Sequence, residues 1–326
     1  MTAFKLRCNW LAAWMAAAIL ALASPAGAQE KIKLASSQRG FWDTTLFEIA
    51  EQEQGFFRKS GIDLEILWTD GGADTQQAII NGSLDIGIQT GVLGVVAAWA
   101  KGAPFAIIAA GTTGARDLWW YARPESGISS MKDAGGRTVA FSRPGSSSQL
   151  LLNDLLAAAG VSAKPVSTGG PAATLTQVMS GQVDAGWAAG VFASDLLKEG
   201  KIRRIASGND APGVSTQTVR VSVANLNFIN NKRGLVKKFL VASQQAIDWA
   251  YSDPRALERW AALNKVSVDV ARAARDEMYP RSALAMRPVG NIDLTITQAI
   301  ANKRLDKRLT PGQVRELLRY VDELAK

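Results

Sequence analysis

The strongest constraint on the fold of this chain is a pattern that it repeats. Gly82-Ser83-Leu84-Asp85-Ile86-Gly87-Ile88-Gln89-Thr90-Gly91 returns ninety-nine positions later as Gly181-Gln182-Val183-Asp184-Ala185-Gly186-Trp187-Ala188-Ala189-Gly190. Each copy follows a Gly-Ile or Gly-Val step (Gly61-Ile62, Gly160-Val161), a double glycine (Gly71-Gly72, Gly169-Gly170) and a short helical stretch. The one departure from register is a single-residue slip at the double glycine. Gly82 and Gly181 can end a helix in the left-handed conformation without steric penalty, and the aspartate then turns the chain into a buried strand. Several matches at one offset predict two lobes of similar topology. In open α/β sheets ligands bind beyond the carboxyl ends of strands, so two such ends facing each other predict a cleft.

The rest of the sequence fits that plan. Strand patterns fall at 32–35, 62–68, 84–88, 105–110, 138–141 and 219–223, and they alternate with helical stretches. This argues for an α/β fold with mainly parallel sheets. Asp43 reads as the N-cap of a helix that Gly55 ends, and a second helix runs over 147–159 to Gly160. Beyond about 215 the pattern becomes mainly helical, with Asp253-Pro254, Ser267 and Thr310-Pro311 as helix starts. The expected organisation is a leader at 1–28, a discontinuous first lobe at 29–113 and 216–326, and a second lobe at 114–215.

The N-terminus reads as an export signal. Lys5 and Arg7 precede an apolar run, and Ala26-Gly27-Ala28 supplies the small residues of a cleavage site. The run is about fourteen residues, or ~21 Å of helix, which is short for a membrane span. Cys8 precedes the apolar run, whereas a lipidated cysteine would follow it. The mature chain is therefore expected to start at Gln29 and to reside in the periplasm.

Chemistry is bounded by what is missing. The chain has no histidine, and its one cysteine lies in the leader. That removes Cys and His nucleophiles, the Ser-His-Asp triad and Cys/His zinc sites, together with the usual general base near neutral pH. Asp43, Asp74 and Asp117 lie near loops and remain as acid or base candidates, yet each also reads as a cap or turn residue. No enzymatic activity, no cofactor and no metal are expected. With 47% hydrophobic residues in 326, core burial alone must hold the fold. The net charge of +8 is spread without basic runs interleaved with aromatics, so no nucleic-acid partner is expected.

With those segments in view, the chain resembles the periplasmic solute-binding proteins of ABC importers for nitrate, sulfonates and taurine, a group that includes binders of thiamine-pyrimidine precursors. The matching stretches are 55–65, 82–91, 128–161 and Gly181-Gln182-Val183-Asp184-Ala185. The resemblance implies a two-lobed type II periplasmic-binding-protein fold, each lobe a mixed sheet flanked by helices, with a helical C-terminal region. It also implies a monomer that clamps its ligand between the lobes and delivers it to a permease with a cytoplasmic ATPase.

The candidate ligand contacts follow from position. Ser146, Ser147 and Ser148 stand at a helix start, where free amides, hydroxyls and the positive dipole end suit an anion; capping by Ser146, at ~1 kcal/mol, is the structural alternative. Ser36, Gln38 and Trp42 belong to the loop after the first strand, which the resemblance places in the cleft. Gln89-Thr90 and Trp187-Ala188 end the repeated strands. Thr112 lies near the crossover, as ligand contact or hinge. Arg39, Arg116 and Arg143 are candidates to grip an anion. The expected ligand is a small organic anion, a sulfonate or carboxylate with an apolar or aromatic body. The alternatives are a thiamine-pyrimidine-like heterocycle or a sensory rather than a transport role.

Overall fold

The computed structural model describes residues 29–324. The expected leader lies outside the described residues. Among the described residues no helix is long and apolar enough to cross a membrane.

Among the described residues ten strands form two five-stranded mixed sheets. β1 (Glu30–Ser37), β2 (Ile62–Thr69), β3 (Ile86–Gly91), β4 (Phe105–Thr113) and the late strand β10 (Thr218–Asn225) pair in the order β2-β1-β3-β10-β4. β5 (Leu118–Ala122), β6 (Thr138–Phe141), β7 (Lys164–Ser167), β8 (Ala185–Ala189) and β9 (Arg203–Ser207) pair in the order β7-β6-β8-β5-β9. In each sheet three strands run parallel, and a strand arriving from the other sheet lies antiparallel beside them. β10 does so next to β3, and β5 next to β8. The sheets are thus two copies of one topology that exchange a strand at the crossovers.

The repeat shows why. Asp85 accepts the Lys33 amide of the adjacent strand at 2.8 Å, and Asp184 accepts the Thr138 amide at 2.8 Å. The carboxylate stands in for a ladder partner where each sheet begins. Thr69 and Thr75 share a hydroxyl–hydroxyl bond of 2.6 Å, and so do Thr168 and Thr174. Thr75 and Thr174 also donate to the carbonyls of Gly71 and Gly170, each the N-cap of the following helix. In three dimensions Gly71 matches Gly170 at the common offset, so the slip seen in the sequence disappears.

Local expectations are met at several termini. Helix Ser147–Ala159 is capped by Ser146 and closed by Gly160 at φ 67°, and helix Trp42–Gln54 is closed by Gly55 at φ 64°. Asp253, Ser267 and Thr310 cap the helices that follow them. Asp43 is the exception. Phe41 occupies the N-cap, and the Asp43 side chain has another use.

Candidate functional site

The carboxyl ends of strands from both sheets meet at one narrow cleft. Ser37, Gln89 and Gly91 reach it from the first sheet; Ser142 and Trp187 reach it from the second, joined by Leu118 at the start of the antiparallel β5. Four helices begin there: Trp42–Gln54, Gly72–Ile80, Val92–Ala100 and Ser147–Ala159. The first amides of a helix have no intrahelical acceptor and carry the positive end of its dipole, so the cleft concentrates hydrogen-bond donors.

The two sides stand closed on one another. The Gly94 amide donates to the Gly145 carbonyl at 3.2 Å, and Arg143 pairs with Asp74 at 3.3 Å. Gly91 faces the second lobe so closely that a Cβ there would stand 2.8 Å from the Ser147 nitrogen and 2.9 Å from the Gly145 oxygen. About 30 Å³ of free space remains in the cleft, room for roughly two or three waters.

The charged centre of the cleft is Arg220 on β10. Its guanidinium donates to Asp43 at 2.8 Å and to Asp117 at 2.7 Å, and Nε reaches the Ser147 hydroxyl at 3.3 Å. Asp43 stands on the first lobe's opening helix, whereas Asp117 and Ser147 lie on the far side of the crossover. Arg220 is therefore a tie across the cleft. All three ionisable groups are buried, at 7%, 2% and 0% exposure for Arg220, Asp43 and Asp117. Burial alone would lower the Arg220 pKa, yet the carboxylates of Asp117 and Asp43 hold it above its ordinary value. Desolvation raises the Asp117 pKa, with the nearby Asp43 charge acting in the same sense and Arg220 against it. The cluster has one carboxyl group more than it has guanidinium, and Asp43 Oδ1 and Asp117 Oδ1 lack hydrogen-bond partners.

Backbone geometry is unusual here too. Gln38 and Gln89 hold φ of 48° and 55°, values that favour glycine. Gln89 lies where β3 bulges against β10, between the Thr90–Val221 and Gly87–Val223 pairs. The left-handed residue re-aims the Gln89 side chain, which donates to the Asp43 carbonyl at 3.4 Å and comes within 2.9 Å of the Thr112 hydroxyl.

The family follows from a match over most of this architecture. The NMT1/THI5-like family model fits residues 44–257. The chain belongs to that family. No curated protein matches it in sequence. Solved structures resemble this NMT1/THI5-like chain in fold. The periplasmic aliphatic sulphonate binding protein SsuA of Escherichia coli is 20% identical with a TM-score of 0.67, over 87% of this chain and 91% of its own. The alkanesulfonate-binding protein SsuA of Xanthomonas axonopodis pv. citri, bound to MOPS, is 19% identical with a TM-score of 0.68, over 89% and 94%. The desulfurization enzyme DszB is 16% identical with a TM-score of 0.60, over 91% and 100%. The two-lobed periplasmic-binding-protein fold expected from the sequence is the one these structures share.

The structure brings together some of the expected contacts and withdraws others. Gln38, Gln89, Ser146, Ser147, Ser148 and Trp187 line the cleft. Trp42 does not: it is fully buried against Tyr251 and Trp260 and donates to the Tyr251 hydroxyl at 3.0 Å. The cleft aromatic from that loop is its neighbour Phe41. Ser36 is spent on the Thr44 carbonyl and Thr90 on the Val221 carbonyl. Thr112 sits one layer behind, donating toward Asp43. At the common offset Trp187 matches Ile88 rather than Gln89. Among the arginines singled out, Arg39 pairs with Glu48, Arg143 with Asp70 and Asp74, and Arg116 faces a different cavity.

Arg220 escaped the sequence reading. The alternation of Val219, Val221 and Val223 assigns Arg220 and Ser222 to a solvent face, yet all but the last residue of β10 are buried. The available signal was an arginine within an otherwise apolar strand that returns to the first sheet.

Proposed function

We propose that this chain is the extracytoplasmic solute-binding component of an ABC importer and that it captures a small organic anion between its lobes. The proposed lobes are 29–113 with 216–326, and 114–215. One observation carries this reading: four helix N-termini and the Ser142, Ser146–Ser148 hydroxyls converge on a single inter-sheet cleft. Such a set of donors suits an oxyanion, and Trp187 and Phe41 offer apolar surface to its body. The likeness to two sulfonate-binding proteins supports the ligand class. A guest larger than a few waters requires the lobes to part, so binding proceeds by hinge opening and closure, with the ligand favouring the closed state. Export through the leader, delivery to a permease with its ATPase, and a monomeric state belong to the same proposal.

Asp43 favours a second reading of the ligand. A buried carboxylate with an unpartnered oxygen at the cleft is matched best by an N–H donor. A thiamine-pyrimidine-like heterocycle carries such donors. Thermal-shift and calorimetric titration with short alkanesulfonates, carboxylates and aminopyrimidines separates the two. The anion reading expects stabilisation by several degrees with the first two classes, weakened about tenfold by Ser147→Ala. The heterocycle reading expects binding that Asp43→Asn abolishes. Stabilisation by none of the three classes overturns both, and recovery of a chemically altered ligand from the cleft would place the chain with enzymes such as DszB.

A further inference from the structure

A second concavity, of about 380 Å³, opens where the chain passes between the sheets, and it shares no lining residue with the cleft. Thr113 and Arg116 line it from the first crossover, Asn209 and Thr216 from the second, and Ser282 and Arg287 from the segment after helix Val268–Met278. Among the described residues its only charged side chains are the two arginines, with no carboxylate in its wall. Among the described residues neither arginine has an ion-pair partner, whereas Arg143, Arg204 and Arg220 are all paired. Two uncompensated guanidinium groups on one concave wall that also holds Met278, Pro280, Ala283 and Pro288 give the site a positive field.

The arginines are anchored to opposite sides of the crossover. The stretch holding Arg287 is fastened to the first sheet at both flanks: the Ala110 amide donates to the Met286 carbonyl at 2.9 Å, and the Thr218 amide donates to the Gly290 carbonyl at 3.0 Å. Arg116 follows Ala115, whose amide donates to Asn209 Oδ1 at 2.8 Å and whose carbonyl accepts from Leu118, the first residue of β5. The next residue along, Asp117, holds Arg220 inside the cleft.

We propose that this hinge cavity binds a small multivalent oxyanion, a phosphate or a di- or tricarboxylate, between Arg116 and Arg287. A guest held from both sides fixes the spacing across the hinge, and the Arg116-Asp117 step passes that constraint to the Arg220 tie. Occupancy therefore shifts the balance between open and closed forms, and any ligand of the cleft feels it reciprocally. The proposal does not depend on what the cleft binds.

Citrate and inorganic phosphate, titrated calorimetrically into the mature chain at constant ionic strength, test the site. Saturable binding is expected, weakened at least tenfold by R116Q or by R287Q and unchanged by R39Q, whose arginine pairs with Glu48 outside this cavity. Both arginines are exposed, so the variants should keep their thermal midpoints, and R116K with R287K should retain part of the affinity. Small-angle scattering reads the coupling: saturating citrate should change the radius of gyration of the wild type and leave that of the R116Q/R287Q protein alone. Three results overturn the proposal: no saturable binding, binding that survives in the double glutamine variant, or binding that R39Q weakens equally. An unchanged radius of gyration overturns its link to the hinge.

Discussion

The two halves of this molecule share their scaffold and differ at their tips. Asp85 and Asp184 make the same bond to the adjacent strand, and the Thr69–Thr75 and Thr168–Thr174 pairs make the same bond at the helix start. At the cleft the likeness ends. Gln89 and Thr90 face Ala188 and Ala189 at matching positions. The first half adds the buried Asp43 and Arg220, and the second adds a cluster of serine hydroxyls. Residues that repeat are those that build a strand or start a helix. Most side chains that line the space between the halves, among them Asp43, Gln89 and the serines, have no like residue at the matching position, although Gly91 repeats as Gly190 and faces the other half closely. An internal repeat thus separates folding from binding without an alignment.

The sharpest way to break this comparison is at Arg220. Replacing it with methionine leaves two buried carboxyl groups without their counter-ion, and removing one member of a buried ion pair typically costs about 3–5 kcal/mol. Urea unfolding of Arg220→Met should show a loss of that order. Adding Asp43→Asn and Asp117→Asn should recover most of it. A loss under about 1 kcal/mol would mean that the cluster is solvated and that the first half's tip is ordinary scaffold.

Two glycines of one strand sharpen the contrast between scaffold and cleft. A Cβ on Gly87 would press on Thr75 and Ile79 within its own half, at 2.8 and 3.0 Å, whereas one on Gly91 would meet the backbone of the other half. Overpacking of this kind costs about 1–3 kcal/mol. For Gly87→Ala the cost should fall on the unfolding midpoint. For Gly91→Ala it should fall on closure, as a roughly tenfold loss of affinity for the cleft ligand and a larger radius of gyration, with little change in midpoint. Equal effects on stability would show that closure and folding are not separable here.

The repeated threonine pairs provide the matched control. Thr75→Val and Thr174→Val each break the hydroxyl–hydroxyl pair and remove the side-chain donor to the N-cap carbonyl, which keeps the backbone amide of the same residue. Each should lower stability by about 1–2 kcal/mol, and the two losses should agree within about 0.5 kcal/mol if the halves are equivalent. Denaturant midpoints of the two variants decide it.

Much of this was legible in the sequence because it rests on local signals. Gly55, Gly160, Ser146 and Asp253 end or start helices by backbone rules that operate within a few residues, and the repeat offset predicted matching halves. The cleft was legible to the extent that strand ends define it. What escaped depends on contacts remote in the chain. Asp43 and Arg220 are 177 residues apart, and nothing local marks them as partners. Asp43 looked like a cap because caps and first-turn acids share composition. Trp42 and Phe41 are adjacent, and which of them enters the core is decided by Tyr251 and Trp260, far along the chain.

The mildest test concerns a contact between the halves that works against itself. Asp154, on the second half's helix Ser147–Ala159, faces Gln298 on helix Ile292–Ala301. Desolvation raises its pKa to about 6, against the hydrogen bond from Gln298, which lowers it. An unfolded aspartate titrates near 3.9, so between pH 4 and 6 the folded chain binds more protons than the unfolded one. Stability therefore falls as pH rises through that window and levels off above it. Discounted for the water that still reaches the carboxyl group, the penalty at pH 7 is roughly 1 kcal/mol. Asp154→Asn keeps an acceptor for Gln298 and removes the charge. It should raise the thermal midpoint at pH 7 by a few degrees, and the gain should vanish near pH 4. A gain that persists unchanged at pH 4 would assign the effect to packing, and the seam between the halves would then be held without regard to charge at this point.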